Sequence, residues 1–154
     1  MTDMIYDKSN VLTVGWREWV HLPDLGINYI KAKVDTGART SALHTFMLTP
    51  YTKNGVHRVK FLVHPFQHTN DIVKECDLEV VDQRNVTDSG GHTEERYFVQ
   101  TTLDMGGRQW TIDMTLTNRD NMRFRMLLGR TAMKNHIIVD PAKSYLVEKA
   151  PDET

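Results

Sequence analysis

Four consecutive residues, Asp35, Thr36, Gly37 and Ala38, could deliver a carboxylate to a reaction. Ile30, Ala32 and Val34 alternate with Lys31 and Lys33 and run directly into Asp35. A period of two marks a half-buried strand. Amide hydrolysis by carboxylates requires this delivery, with the acid fixed at a strand end and facing a cleft. Gly37 lets another backbone or a substrate approach without a Cβ in the way. Thr36 brings a hydroxyl that can lock the turn by hydrogen bonding. The plain alternative is a turn aspartate with no chemistry, because Asp and Gly favour turns in any case.

A second segment weighs against that alternative. Val34-Asp35-Thr36-Gly37-Ala38 resembles the active-site signature of retropepsins and other aspartic proteases. Met126-Leu127-Leu128-Gly129-Arg130 resembles the apolar strand and helix start near the end of retropepsins. Between them, residues 95–116 resemble the two strands that follow the retropepsin flap. The order is the same, and the likeness spans residues 27–133. It is closest to a bacterial and archaeal family labelled ATP-dependent zinc protease. The shared patterns are VDTGARTSALH at 34–44, TNRDNMRFRMLLGR at 117–130 and VDP at 139–141. That family is also described as retropepsin-like, and it is linked to ATP-grasp ligases that add glutamate to a ribosomal protein.

The resemblance implies a mainly β, retropepsin-like (acid protease) fold: a closed β-barrel with one short helix after Gly129. It implies an aspartic endopeptidase whose catalytic turn is Asp35, Thr36 and Gly37. Ala38, Arg39, Ser89, Gly90 and Gly91 would face substrate, and Gly129 and Arg130 would support the turn. The substrate would be a protein or peptide with an acidic, glutamate-rich tail, such as a glutamate-modified ribosomal protein. A zinc-dependent protease, as the family label states, and a non-catalytic peptide-binding domain are the competing readings.

Peptide hydrolysis by this route needs two carboxylates sharing one proton, because two acids about 3 Å apart cannot both ionise. The sequence offers one such motif. Asp88-Ser89-Gly90 imitates a second, but Asn85, Val86 and Thr87 form no apolar strand before it. Residues 87–92 read as a flap tip or as a simple surface turn. The second carboxylate is therefore expected from Asp35 of another copy, which makes the enzyme a homodimer. One departure from the retroviral pattern stands out. An acidic pair usually follows the Ala there and receives the late arginine, whereas Arg39 and Thr40 follow Ala38 here. Arg130 then needs a new partner, with Asp140 as a candidate. Arg39 is either a substrate-carboxylate ligand or a solvated loop arginine.

The elements that would position these residues are mostly short strands. Trp110, Ile112, Met114 and Leu116 alternate with Thr111, Asp113, Thr115 and Thr117. Tyr97, Val99 and Leu103 share a face of the preceding strand, and Gly106-Gly107 closes that hairpin. Asn54-Gly55 marks another, leading into Val59, Phe61 and Val63. The run 126–128 is wholly apolar and expected to be buried on both sides. Residues 131–135 are the expected helix. Residues 65–76 read as a loop or as a short helix with Pro65 in its first turn. Strands outnumber helices and no βαβ alternation appears, which fits an all-β barrel or sandwich.

The chain as a whole is ordinary. Its 154 residues favour one domain, 1–154 with a core over 11–149 and polar, frayed ends. A net charge of −1 with 40% hydrophobic and 25% charged residues gives no pull towards nucleic acid or membrane. No stretch approaches the ~20 apolar residues of a membrane span, and residues 1–10 lack a signal-peptide core, so a cytoplasmic location is expected. Cys76, the single cysteine, reads as a small buried hydrophobe. His44, His64, His68 and His92 form no zinc motif, no nucleotide loop is present, and no cofactor is expected. Arg119, Arg123, Arg125 and Arg130 read as charge protecting a strand edge.

Overall fold

The structure, a computed structural model, describes residues 10–66, 72–87, 90–118 and 123–149. Its strands are β1 (Leu12–Val14), β2 (Arg17–Leu22), β3 (Ile27–Val34), β4 (Ser41–His44), β5 (Phe46–Lys53), β6 (Val56–Val63), β7 (Lys74–Glu79), β8 (Asp82–Thr87), β9 (Thr93–Met105), β10 (Arg108–Thr117), β11 (Met126–Leu128) and β12 (Ile137–Val139). One short helix, α1 (Arg130–Met133), lies between β11 and β12. The fold is mainly β, as the alternating sequence pattern requires.

Seven strands form one sheet in the order β10-β4-β11-β3-β2-β9-β8. β10 also pairs antiparallel with β9, which brings the two sides of that order back together. Inward residues of these strands make the core. Ile30, Ala32, Leu43, Val99, Leu103, Met114, Met126 and Leu128 are all fully buried. Burying each large side chain of this kind contributes about 1.5–3 kcal/mol before chain entropy is counted. The three-stranded sheet β5-β6-β7 lies outside that ring, and β1 pairs parallel with β12.

Both expected hairpins are present. Asn54 and Gly55 have φ of 53° and 79°, and Gly106 and Gly107 have 62° and 80°. Paired left-handed residues match the right-handed twist of the strands they join. Val59, Phe61 and Val63 point inward together from β6.

Other expectations change. Residues 74–76 are not loop or helix but the start of β7, with Cys76 opposite Phe61 and Lys74 opposite Val63; residues 67–71 lie outside the described part. Thr115 and Thr117 were expected on an outer face but are buried. Their end of β10 lies beside β4, where the Thr115 hydroxyl donates to the Ser41 carbonyl at 3.3 Å. In β11, Met126 and Leu128 are buried, while Leu127 is only half-buried. The helix starts one residue early and ends at Met133, and Asn135 turns the chain with φ 69°. β8 escaped notice because its sequence, DQRNVT, is polar throughout and both its faces are largely wet. Of the basic cluster, Arg125 is half-buried ahead of β11 and Arg130 starts α1, while Arg119 lies outside the described residues.

Candidate active site

β3 carries Asp35 to the end of a buried strand, and the Asp35 N–H donates to the Leu128 carbonyl at 2.9 Å. The chain then turns. The Gly37 N–H donates to Asp35 Oδ1 at 2.9 Å, and the Ala38 N–H donates to the Asp35 carbonyl at 3.2 Å. A Cβ on Gly37 would lie 3.2 Å from that same Oδ1 and crowd the carboxylate. Glycine thus leaves room for the acid itself, since any larger residue would make the carboxylate shift by a few tenths of an ångström.

The second motif holds this turn from beneath. The Arg130 N–H donates to the Ala38 carbonyl at 2.7 Å, and the Thr131 N–H donates to the Arg39 carbonyl at 3.0 Å. These are otherwise orphan donors at the start of a helix. Arg130 Nη1 donates to the Thr36 carbonyl at 3.0 Å. That bond corrects the expected Asp140 partner, since the Asp140 carboxylate accepts the Ala142 N–H instead. With no acidic pair after Ala38, the guanidinium turns to a main-chain oxygen of the same loop. Gly129 lies against the loop's far end. A Cβ there would come within 2.5 Å of the Thr40 carbonyl carbon, and the Gly129 N–H donates to Ser41 Oγ at 2.9 Å.

Above the turn, β8 and β9 form a hairpin, and between hairpin and turn lies a cleft of about 750 Å³. Asp35, Gly37, Ala38 and Arg39 line its floor. Thr36 faces a neighbouring hollow of about 770 Å³ that it shares with Arg39, Arg130 and residues of α1 and β12. Gly90 and Gly91 are exposed near the hairpin tip, Gly91 with φ 85°. They do not line the cleft, and Ser89 lies outside the described residues.

The residues that sequence reasoning missed are on the roof. Arg84 and Arg96 line the cleft and stand directly opposite each other on β8 and β9. Each is paired with an acid two residues earlier: Arg84 Nε with Asp82 Oδ2 at 2.9 Å, and Arg96 Nε with Glu94 Oε1 at 3.2 Å. The Thr117 hydroxyl also donates to Glu94 Oε1, at 2.9 Å. A usable signal existed: Asp82-x-Arg84 and Glu94-x-Arg96 flank a turn, and positions 84 and 96 are equidistant from Gly90.

Other singled-out residues sit elsewhere. Cys76 is buried, and burial pushes its thiol up to about 11, out of reach of thiolate chemistry at neutral pH. His44 is buried and His64 stacks on Phe46, while His68 is outside the described part. Among the described residues no three His, Cys, Asp or Glu side chains gather to hold a metal ion.

Residues 13–150 match the RimB-like family, described as retropepsin-like aspartic endopeptidase RimB. The chain belongs to that RimB-like family. A "Probable alpha-L-glutamate ligase" from Shewanella pealeana is 43% identical over 145 residues, which is 94% of this chain and 32% of that protein. One of the same name from Desulfotalea psychrophila is 43% identical over 129 residues, 84% of this chain and 28% of the relative. The chain therefore spans about a third of the length of these curated relatives. A crystal structure of a protein of unknown function from Legionella pneumophila subsp. pneumophila superposes with a TM-score of 0.74 at 28% identity, covering 88% of this chain and 98% of that one. Asp35, the turn around it and the Gly129-Arg130 support all lie within the RimB-like match.

Proposed function

We propose that this RimB-like chain is a cytoplasmic, homodimeric aspartic endopeptidase that cleaves acidic, glutamate-rich peptide segments. The observation that carries the reading is the setting of Asp35. Its carboxylate is fixed by a backbone N–H at the end of a buried strand and lines a cleft roofed by a hairpin. Among the described lining residues Asp35 is the sole carboxylate. An aspartic dyad therefore takes its second acid from Asp35 of another copy. The return of β10 to β9 supports a closed barrel as the frame that holds the turn.

In that dimer one Asp35 accepts a proton from water while the other, protonated, donates to the scissile carbonyl oxygen. The attacking oxygen bonds to the carbonyl carbon and forms a tetrahedral diol. Its collapse breaks the C–N bond, and a proton passes to the leaving amine. An extended peptide can lie in the cleft as an added strand. The acidic preference rests on Arg39, exposed on the floor and without a side-chain partner among the described residues. The naming of long relatives as glutamate ligases fits a substrate bearing added glutamates, and a glutamate-modified ribosomal protein is such a substrate.

The test is peptide cleavage by the wild type and by Asp35→Asn, with glutamate-rich and glutamine-rich peptides over a salt series. Wild type should cleave the glutamate-rich peptide faster, and added salt should erode that advantage. Asp35→Asn should lose on the order of 10²–10⁴-fold in kcat while keeping its fold, the usual contribution of a positioned acid–base group. Undiminished cleavage by Asp35→Asn would overturn the reading.

A further inference from the structure

The two roof arginines look equivalent in the sequence and are not equivalent in the structure. Directly opposed like charges on a strand pair destabilise it, so each needs compensation, and each has an acid two residues back. Arg96 is the settled one. Its side chain is 13% exposed, and its partner Glu94 is also held by the Thr117 hydroxyl from β10. Glu94 Oε1 thus accepts from both Arg96 and Thr117, which fixes the acid that Arg96 pairs with. Arg84 is the unsettled one. Its side chain is 56% exposed and that of its partner Asp82 is 48% exposed. An ion pair in that setting is weak and easily exchanged.

Arg84 is nevertheless not a loose surface arginine. Its guanidinium carbon lies 4.2 Å from the centroid of Phe98, a buried ring in the same cleft wall. Such stacking restricts the plane of the fork and leaves its donors available. Asp82 takes only Nε, and among the described residues neither terminal nitrogen of Arg84 has a partner. Across the cleft, Arg39 is likewise uncommitted. The roof and the floor thus each offer one available guanidinium to whatever enters between them.

We infer that Arg84 is a specificity-determining residue: it exchanges Asp82 for a carboxylate of the bound peptide and, with Arg39 opposite, clamps acidic side chains from two walls. This rests on the peptide-cleft reading above. Asp82 occupies in the free protein the place a substrate carboxylate takes in the complex. A neutral peptide has no carboxylate to offer, so Arg84 stays paired with Asp82. Arg96 is a positioning residue that keeps the hairpin over β10.

The experiment measures binding, so that it stands apart from catalysis. Fluorescently labelled hexaglutamate and hexaglutamine peptides are titrated into Asp35→Asn protein and into its double variants, with anisotropy as the readout. Arg84→Ala should weaken hexaglutamate about tenfold or more, as for a lost charge-assisted hydrogen bond, and leave hexaglutamine within about twofold. Arg84→Lys should recover part of the loss, because charge remains but the fork is gone. Asp82→Asn should tighten hexaglutamate by roughly two- to fivefold, the worth of an exposed pair. Arg96→Ala should weaken both peptides alike. Equal losses on both peptides in Arg84→Ala, weaker hexaglutamate binding in Asp82→Asn, or no hexaglutamate binding at all would overturn the clamp. If the clamp variants behave as stated but the wild type cleaves neither peptide, the clamp stands and the peptidase reading falls. Cleavage by the wild type with no selectivity lost in Arg84→Ala leaves the peptidase and removes the clamp.

Discussion

The floor and the roof of the cleft are built on opposite principles. On the floor, Asp35 is tied to β11 through its own N–H, and the two residues after Gly37 hand their carbonyls to the first N–H groups of α1. Gly129 packs so closely on Thr40 that no side chain fits between them. The roof hairpin is held by its backbone ladder, Asp82 opposite Phe98 through Thr87 opposite Thr93. Its outer strand β8 has largely wet faces, and its arginines pair with acids two residues back on their own strands. A reacting acid must be held within a fraction of an ångström, since small misplacement costs rate steeply. A strand that must admit a peptide and close over it gains from weak, exchangeable contacts. The lesson is that rigidity is concentrated where chemistry would occur, and adaptability where recognition would occur.

That contrast is sharpest at Gly129. Gly129→Ala would place a Cβ 2.5 Å from the Thr40 carbonyl carbon and 2.7 Å from the Ser41 nitrogen, against backbone that cannot swing away. We expect a loss of about 1–3 kcal/mol in urea unfolding, typical of overpacking, with kcat falling by more than KM changes. Wild-type stability and kcat in the Gly129→Ala variant would break the contrast.

Arg130→Ala should act less on stability and more visibly on chemistry. It removes one hydrogen bond to the Thr36 carbonyl, for which about 1 kcal/mol is typical. The Asp35 turn loses a restraint, so kcat should drop roughly tenfold. Binding of hexaglutamate to the roof should stay close to wild type. A change confined to KM would mean that Arg130 serves recognition rather than the floor.

The smallest effect concerns pH. His136 stacks on Trp110 with centroids 4.3 Å apart, and Trp110 Nε1 donates to the Ala132 carbonyl behind α1. Burial first, then the nearby Arg108 charge, holds the His136 pKa below its ordinary 6.5. The folded protein therefore resists a proton that the unfolded chain accepts. Stability from this group is complete above pH 6.5 and declines as pH falls from there through the folded value. Unfolding at about pH 5 and about pH 8 should show that decline, and Arg108→Gln should make it shallower. A steeper acid loss in Arg108→Gln would contradict the assignment.

Much of the floor and of the surrounding strand frame was legible in the sequence, because the determinants are local or alternate strictly. Asp35-Thr36-Gly37 needs only its own turn, Gly106-Gly107 only its own φ angles, and Ile30, Ala32 and Val34 only one buried face. What connects the floor was less legible. Arg130 reaches an oxygen 94 positions earlier, and no spacing rule distinguishes the Thr36 carbonyl from the Asp140 carboxylate. The roof was least legible. β8 has no apolar face to betray its period, so the pairing of Arg84 with Arg96 emerges only from a register across the tip. Thr115 and Thr117 misled for a related reason, since their burial depends on β4, more than 70 residues away in sequence.

The central claim is that one active site is assembled from two Asp35 side chains, and subunit mixing tests it most directly. Wild-type and Asp35→Asn chains are co-refolded in varying proportions at constant total concentration, and cleavage of a glutamate-rich peptide is followed. If both aspartates of a pair are required, activity falls as the square of the wild-type fraction, leaving about a quarter at equal mixing. If each chain works alone, activity falls in proportion and about half remains, a result that would contradict a shared site.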